Sequence, residues 1–193
     1  MSSIRLVRHG RPVFDEPSSI DRDEFGAALR RYDEAAVVER SGSIPGWYTN
    51  PNAGRIIVCS ELRRARDSVD LLGFTRAQAS SLLDEARLPH PDVLPSRMSW
   101  KTALAVYRLA WLFGYRRNAD GLAADRLRAD RAADGFEALA GRDADVVAFG
   151  HGIMHRLIAT SLLSSGWTRV EPSGSGYWSS QLLVRASVRC RPE

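Results

Sequence analysis

Lysine is nearly missing from this 193-residue chain: of 27 basic residues only Lys101 is a lysine, and the others are arginine. Planar guanidinium forks suit phosphate oxygens, so heavy arginine use fits an anionic substrate as well as a genomic base-composition bias. The arginines are dispersed and interleaved with Asp and Glu. No long basic stripe with aromatic partners is present, which speaks against nucleic-acid binding. Cysteine is as scarce. Cys59 and Cys190 make neither a disulfide framework nor a zinc cluster, and a reducing cytoplasm is the simplest compartment for such a chain. No run approaches the roughly 20 apolar residues of a membrane span, and the longest, over 103–113, is interrupted by Arg108. The start, Met-Ser-Ser and then an apolar run, lacks the pattern of a signal peptide. Internal repeats, low-complexity tracts and long linkers are missing too. One domain over 1–193 is therefore expected, long enough for a sizeable core.

What is present alternates. Residues 4–7 read as a first strand, 55–59 and 145–149 as short buried strands, and 177–188 as the last. Helical spacing runs over 23–40 (Phe25, Leu29, Tyr32, Ala36, Val37), ended by Gly42 and Pro45. It recurs over 61–72, with Ser60 as N-cap and Gly73 past the end, and over 101–113, 122–140 and 153–164. On the 122–140 helix Leu122, Ala129, Ala133, Phe136 and Ala140 share one face, and Asp125, Arg128 and Arg131 are expected to point into solvent. Pro89, Pro91 and Pro95 mark a long loop, and 173–176 a turn. Strands alternating with helices predict an α/β fold, a three-layer α/β/α sandwich around a mostly parallel sheet.

Three strands run into polar junctions: Arg8-His9-Gly10, Ser60-Glu61-Leu62-Arg63-Arg64-Ala65 and Gly150-His151-Gly152. In a parallel sheet such junctions gather at the carboxyl edge, where ligands bind. Helix N-termini there add N–H donors and partial positive charge, which suits an anion. Two histidines and at least two arginines then converge on one pocket, and a histidine beside a fixed positive charge can attack phosphorus.

Taken together, these motifs resemble the histidine phosphatase superfamily, which includes the cofactor-dependent phosphoglycerate mutases and many small phosphatases. The chain is similar in Arg-His-Gly at Arg8 to Gly10, in Ser-x-Leu-x-Arg-Ala at Ser60 to Ala65, and in the late pair His151 and Gly152. Their order and separations fit over almost the whole chain. The resemblance implies a phosphoglycerate mutase-like fold in which His9 is the nucleophile that becomes phosphorylated. Arg8 and Arg64 would clamp the phosphate oxygens, with His151 as a further donor, and Gly10 and Gly152 would let the backbone approach the anion. The chemistry is coherent: imidazole keeps a free nitrogen near neutrality and can leave again. The guanidiniums neutralise the equatorial oxygens of the transferring group. No metal or cofactor is then required. In the mutase-like branch a glutamate follows the second arginine motif and protonates the leaving oxygen. Glu85 stands there, with Asp84 as its rival. Donation near neutrality requires that acid to be held protonated, by burial or by the phosphate itself. Gly152 after His151, in place of the late His-Asp pair of the other large branch, puts the chain with the mutase-like one.

Some positions depart from the family pattern. Pro12 replaces a small hydroxyl residue, and Val13-Phe14-Asp15 supplies no obvious polar partner, leaving Arg11 as a compensating candidate. Arg11, Arg63 and Arg66 read better as surface or salt-bridge residues. His90 is a weaker candidate for substrate contact. His155, four residues after His151, has a spacing that can hold a metal on a helix. Gly152 stands where the glutamate of His-Glu-x-x-His belongs, however, so a helix-facing or supporting role fits His155 better.

In the family the region at about 87–141, here a helical insertion, shapes substrate choice. Its Trp100, Tyr107, Trp111 and Phe113 are expected in a core or subunit contact. The pair Arg116-Arg117 resembles one that grips a carboxylate or second phosphate in mutases, but the Gly-rich stretch after the acid is absent. The expected function is therefore a metal-independent phosphomonoesterase, a phosphoric monoester hydrolase of the histidine acid phosphatase type, acting through a phosphohistidine on a small phosphorylated substrate. Alternatives are a phosphoglycerate-type mutase, a noncatalytic phospholigand-binding module, and a metallohydrolase using His151 and His155. Sugar phosphates, nucleotides, phosphohistidine proteins and vitamin-precursor phosphates all fit the pocket's chemistry. Neither nucleic acid nor membrane is an expected partner, and the apolar helix over 101–113 suits a pocket cover or a homodimer contact.

Overall fold

Ile4 and Leu6 turn to one side of strand β1 (Ser2–Arg8) and Val7 to the other, and all three are buried. A strand apolar on both faces must lie inside a sheet covered on both sides. In the structure, a computed structural model describing residues 2–38, 48, 54–89, 97–141, 144–171 and 174–186, it does. The other strands are β2 (Ile56–Cys59), β3 (Ala77–Ala79), β4 (Val146–Gly150), β5 (Thr168–Arg169) and β6 (Ser180–Arg185). They form one sheet in the order β3-β2-β4-β1-β6-β5. The first four of that order run parallel, and β6 and β5 close the far edge antiparallel. Every residue of β4 is buried, as a central strand between two helical layers requires.

Helices α4 (Gly121–Ala140) and α5 (Gly152–Ser164) cover one face, packing Ala133, Phe136, Met154 and Ile158 on Ile4 and Leu6. Helix α2 (Arg63–Leu71) covers the other, with Val69, Phe74 and Trp178 against Val7, Ile57 and Phe149. A third cluster joins α1 (Arg22–Glu34) to α3 (Trp100–Leu112) through Phe25, Trp100 and Tyr107. This is the three-layer α/β sandwich expected from the alternation of elements. The segment at about 87–141 divides between two roles. Its α4 belongs to the sheet-covering layer, whereas α3 stands apart from the sheet and faces α1. No helix among the described residues is long and apolar enough to cross a membrane.

Several elements differ from their sequence reading. The helix expected over 23–40 starts on an Asp21–Glu24 capping box and stops at Glu34. Ala35 turns extended, Ala36 accepts from Val13, and Val37 donates to Asp67, so these apolar residues pack as a strap and not as helix. Gly42 and Pro45 lie outside the described residues. Ser60 is not an N-cap: α2 begins at Arg63 behind Leu62, which makes no side-chain cap bond. Gly73 does end that helix in a left-handed conformation, φ +76°. Asp125 does not point into solvent; it is buried and paired with Arg128 at 2.6 Å. The last strand is shorter, and Tyr177 and Trp178 sit in the turn before it. Trp100, Tyr107 and Trp111 are core residues, but Phe113 is 84% exposed.

Candidate active site

Parallel register brings the junctions together. Arg8 pairs with Gly150, so His9 and His151 emerge side by side from β1 and β4. His9 N donates to Gly150 O, and Ser60 N donates to Phe149 O, which draws the end of β2 to the same edge. The rings of His9 and His151 lie 5.0 Å apart between centroids. His9 lines a cavity of about 630 Å³ walled by α1, α3 and the start of α5, whereas His151 is fully buried beside it and is not part of that lining.

His9 is buried, and its Nδ1 lies 2.7 Å from Gly10 O. A carbonyl only accepts, so Nδ1 carries the proton and the lone pair sits on Nε2. Burial first, then the charge of Arg64, pushes this imidazole well below its ordinary pKa of 6.5, against the opposing pull of the Gly10 carbonyl. The ring is therefore neutral, with a free nitrogen. Tyr177 roofs it at 5.6 Å between ring centroids, and the Arg8 guanidinium stacks on the same tyrosine at 4.8 Å.

Arg64 is 1% exposed. Its Nη1 is held by Asp33 Oδ1 at 2.9 Å and by the carbonyls of Tyr32 and Asp33, and its guanidinium stacks on Tyr32 at 4.9 Å. Arg8 Nη1 is anchored likewise on Ser175 O. In both arginines Nε is buried without a partner in the protein, and so is His151 Nδ1. The other His151 nitrogen, Nε2, lies 2.8 Å from Ser60 Oγ, whose own hydrogen goes to Asp84 Oδ1 at 2.6 Å. Asp84, Ser60 and His151 thus form a chain in which Nε2 donates. Burial, followed by the charge of Arg64, holds His151 well below its ordinary value.

That chain separates the two acid candidates. Asp84 is committed to Ser60 and to Glu61 N. Glu85 lines the cavity, and its carboxylate accepts from Ile153 N and Met154 N at the start of α5. Its place follows from the helix: His151, the N-cap, makes no side-chain cap bond, so an external carboxylate satisfies those N–H groups.

The glycines behave differently from each other. Gly10 N donates to Ser68 Oγ, and a Cβ at Gly10 would meet Trp178 at 2.4 Å and Val37 at 2.7 Å. Packing alone is enough to require glycine there. Gly152 lies in the cavity wall, where an added Cβ would contact the Arg8 guanidinium at 3.8 Å. His155 faces inward and is fully desolvated, which with the Arg8 charge lowers its pKa to about 3. Among the described residues no three His, Cys, Asp or Glu side chains group to hold a metal ion. Arg11 lies 5.8 Å from the Tyr177 ring centroid, Arg63 pairs with Asp67, and Arg116 and Arg117 are exposed outside the cavity wall. His90 lies outside the described residues. The roles of Tyr32, Asp33 and Tyr177, and the cavity arginines Arg108 and Arg156, had no motif in the sequence. Only Arg156, one helical turn after Gly152, had a signal in its spacing.

No family model matches the chain, and none of the curated proteins matches it. Solved structures do. A functionally characterised open reading frame of Mycobacterium tuberculosis is similar with a TM-score of 0.59 at 16% identity, over 97% of this chain and 93% of that one. A mycobacterial glucosyl-3-phosphoglycerate phosphatase, solved with VO3, gives 0.55 at 19% over 94% and 92%. A phosphoserine phosphatase of Entamoeba histolytica, solved with 3-phosphoglyceric acid, gives 0.50 at 14% over 85% and 81%. These likenesses establish the phosphoglycerate mutase-like fold.

Proposed function

We propose that the protein is a phosphomonoesterase of the histidine phosphatase superfamily and works through a phosphohistidine on His9. The observation that carries this reading is the set of buried, unpartnered nitrogens, Arg8 Nε, Arg64 Nε and His151 Nδ1, beside a neutral imidazole. His151 Nδ1 becomes a donor only on protonation, but leaving the two buried guanidinium N–H donors unpaired is costly unless a ligand completes them. A phosphoryl group, with three oxygens to share, does so. The fold shared with two phosphatases supports the same assignment.

In this mechanism His9 Nε2 attacks phosphorus, and the bond to the alcohol oxygen breaks as Glu85 gives that oxygen a proton. Arg8 and Arg64 hold the charge on the equatorial oxygens, and His151 supports it once protonated at Nδ1. Water then attacks the phosphohistidine, Glu85 takes the proton, and His9 is released with inorganic phosphate. Because Arg116 and Arg117 stand outside the cavity wall, hydrolysis is favoured over transfer to a bound acid.

The test is His9→Ala with p-nitrophenyl phosphate. The variant is expected to lose turnover, and the wild type, quenched in base during turnover, to carry an acid-labile phosphoryl group on His9. EDTA is expected to leave the rate unchanged. Full activity in the alanine variant would refute the assignment.

A further inference from the structure

Both phosphate arginines rest on tyrosine rings, but they are tethered unequally. Arg64 has the Tyr32 ring at 4.9 Å, two backbone carbonyls and the Asp33 carboxylate at 2.9 Å. Arg8 has the Tyr177 ring at 4.8 Å and one carbonyl, Ser175 O, with no carboxylate partner among the described residues. The difference matters for a side chain whose task is charge. A carboxylate fixes a guanidinium but offsets its charge, and it takes up in-plane N–H groups that would grip phosphate. An aromatic ring meets the flat face instead. It leaves the charge whole and the N–H edge open to a ligand. Arg8 Nε is such an edge group, buried and unpartnered in the protein.

The turn that presents Tyr177 is pinned to the motif beside it. Arg8 N donates to Ser179 O at 2.8 Å, and Trp178 N donates to His9 O at 3.3 Å. Trp178 itself has a left-handed backbone, φ +60°, which a bulky residue keeps only where its surroundings over-determine it. Those surroundings are on the page: its ring is 4% exposed and packs against Gly10. Locking Trp178 fixes its neighbour Tyr177, whose half-buried ring reaches Arg8 and also lies 5.6 Å from the His9 ring between centroids. Arg11 is farther from the same ring, at 5.8 Å. Tyr177 does not line the cavity, so it reaches a ligand there only through Arg8 and His9, which do.

We propose that Tyr177 is a positioning residue: its ring face holds the Arg8 guanidinium with full charge and Nε free for the phosphoryl oxygens, in the role that Asp33 fills for Arg64. The proposal rests on the phosphomonoesterase reading above, in which Arg8 grips phosphate, and adds to it a residue outside the cavity. A flexible arginine side chain gives up rotamer freedom when a ligand orders it. Stacking on Tyr177 orders Arg8 before phosphate arrives.

Two variants separate the ring from its hydroxyl. Tyr177→Leu is expected to lower kcat/KM on p-nitrophenyl phosphate roughly tenfold and to weaken inhibition by inorganic phosphate by a similar factor. Tyr177→Phe keeps the face and should lose less than about threefold. The Arg8 guanidinium gives a readout that general loosening of the fold would not single out. Its Nε–H signal in proton–nitrogen correlation spectra is identified by its loss in Arg8→Gln. Relaxation is expected to show it rigid on the nanosecond scale in the wild type and in Tyr177→Phe, and mobile in Tyr177→Leu, with backbone amides unchanged. If Tyr177→Leu does not fold, Tyr177→Met, whose unbranched chain fills irregular gaps, replaces it. An Arg8 signal as rigid without the ring as with it, an undiminished kcat/KM, or a phenylalanine variant as impaired as the leucine one overturns this inference alone. Absence of wild-type turnover on every phosphate ester overturns the phosphomonoesterase reading and this inference with it.

Discussion

At Glu85 one proton separates two kinds of substrate. Its carboxylate is held at the cavity wall by Ala86 N, Ile153 N and Met154 N, all within 3.4 Å. Glutamine preserves an acceptor for those donors but cannot deliver a proton. An alkyl alcohol is a poor leaving group without one, whereas nitrophenolate departs unaided. Glu85→Gln is therefore expected to slow single-turnover cleavage of an alkyl phosphate by roughly 10²–10⁴-fold. The first step on p-nitrophenyl phosphate should slow far less and show a burst of nitrophenol, because the phosphohistidine then waits for a base. Rapid-quench kinetics on both esters decide it, and equal losses on the two would make Glu85 a binding residue. Arg8, His9, Arg64 and His151 were legible as candidates because strand ends and helix starts have local signatures, whereas Glu85, in the segment after Ser81–Leu83, was pointed to only by the family resemblance. Tyr32 and Tyr177 were not. Tyr177 reaches His9 through a turn 168 residues later in the chain, and only packing brings them to 5.6 Å.

The same contrast holds for whole elements. Strands β2 and β4 are apolar throughout because both faces are covered, and β1 buries Ile4, Leu6 and Val7 around Arg5, so their patterns are readable. Edge strands β3 and β5 are exposed, and Ala77-Gln78-Ala79 has no apolar signal to read. Helix α4 shows a subtler failure. Asp125 stands four residues before Ala129 on the buried row, so its spacing placed it inward while its charge suggested solvent. It is tolerated there because it holds Arg128, whose Nη1 donates to Ser81 O at 3.1 Å and Asp84 O at 2.6 Å. Helix α4 thus braces the segment that presents Glu85. Arg128→Met leaves a buried carboxylate unpaired. The cost is about 2 kcal/mol, below the 3–5 of a fully buried pair because Arg128 is partly exposed. A lower urea midpoint is expected, with a rate loss larger on alkyl phosphates than on p-nitrophenyl phosphate. A stability loss without that difference would mean that the brace does not position Glu85.

Across the whole molecule the site imposes a pH limit on the fold. His9, His151 and His155 are buried with pKa values held below 6.5, His155 at about 3. Above pH 6.5 they are neutral in both folded and unfolded chains and make no difference between them. Below it the unfolded chain binds protons that the folded one refuses. Stability therefore falls with pH, by about 1.4 kcal/mol per unit for each such histidine. Together they remove up to about 4 kcal/mol per unit, against a typical total of 5–15 kcal/mol. Acid unfolding is thus expected within a few units below pH 6.5. His155→Gln, which removes one of these groups at similar volume, should make the decline shallower by about 1.4 kcal/mol per unit. Inorganic phosphate should act in the same direction by another route. An anion resting on Arg8 and Arg64 offsets the charges that disfavour a protonated His151, so the midpoint should move to lower pH as phosphate is added. Urea unfolding at a series of pH values, with and without phosphate, measures both effects. An acid limb unchanged by His155→Gln would mean that His155 takes up its proton in the folded state. A midpoint insensitive to phosphate would leave the buried nitrogens of Arg8, Arg64 and His151 without the ligand assigned to them.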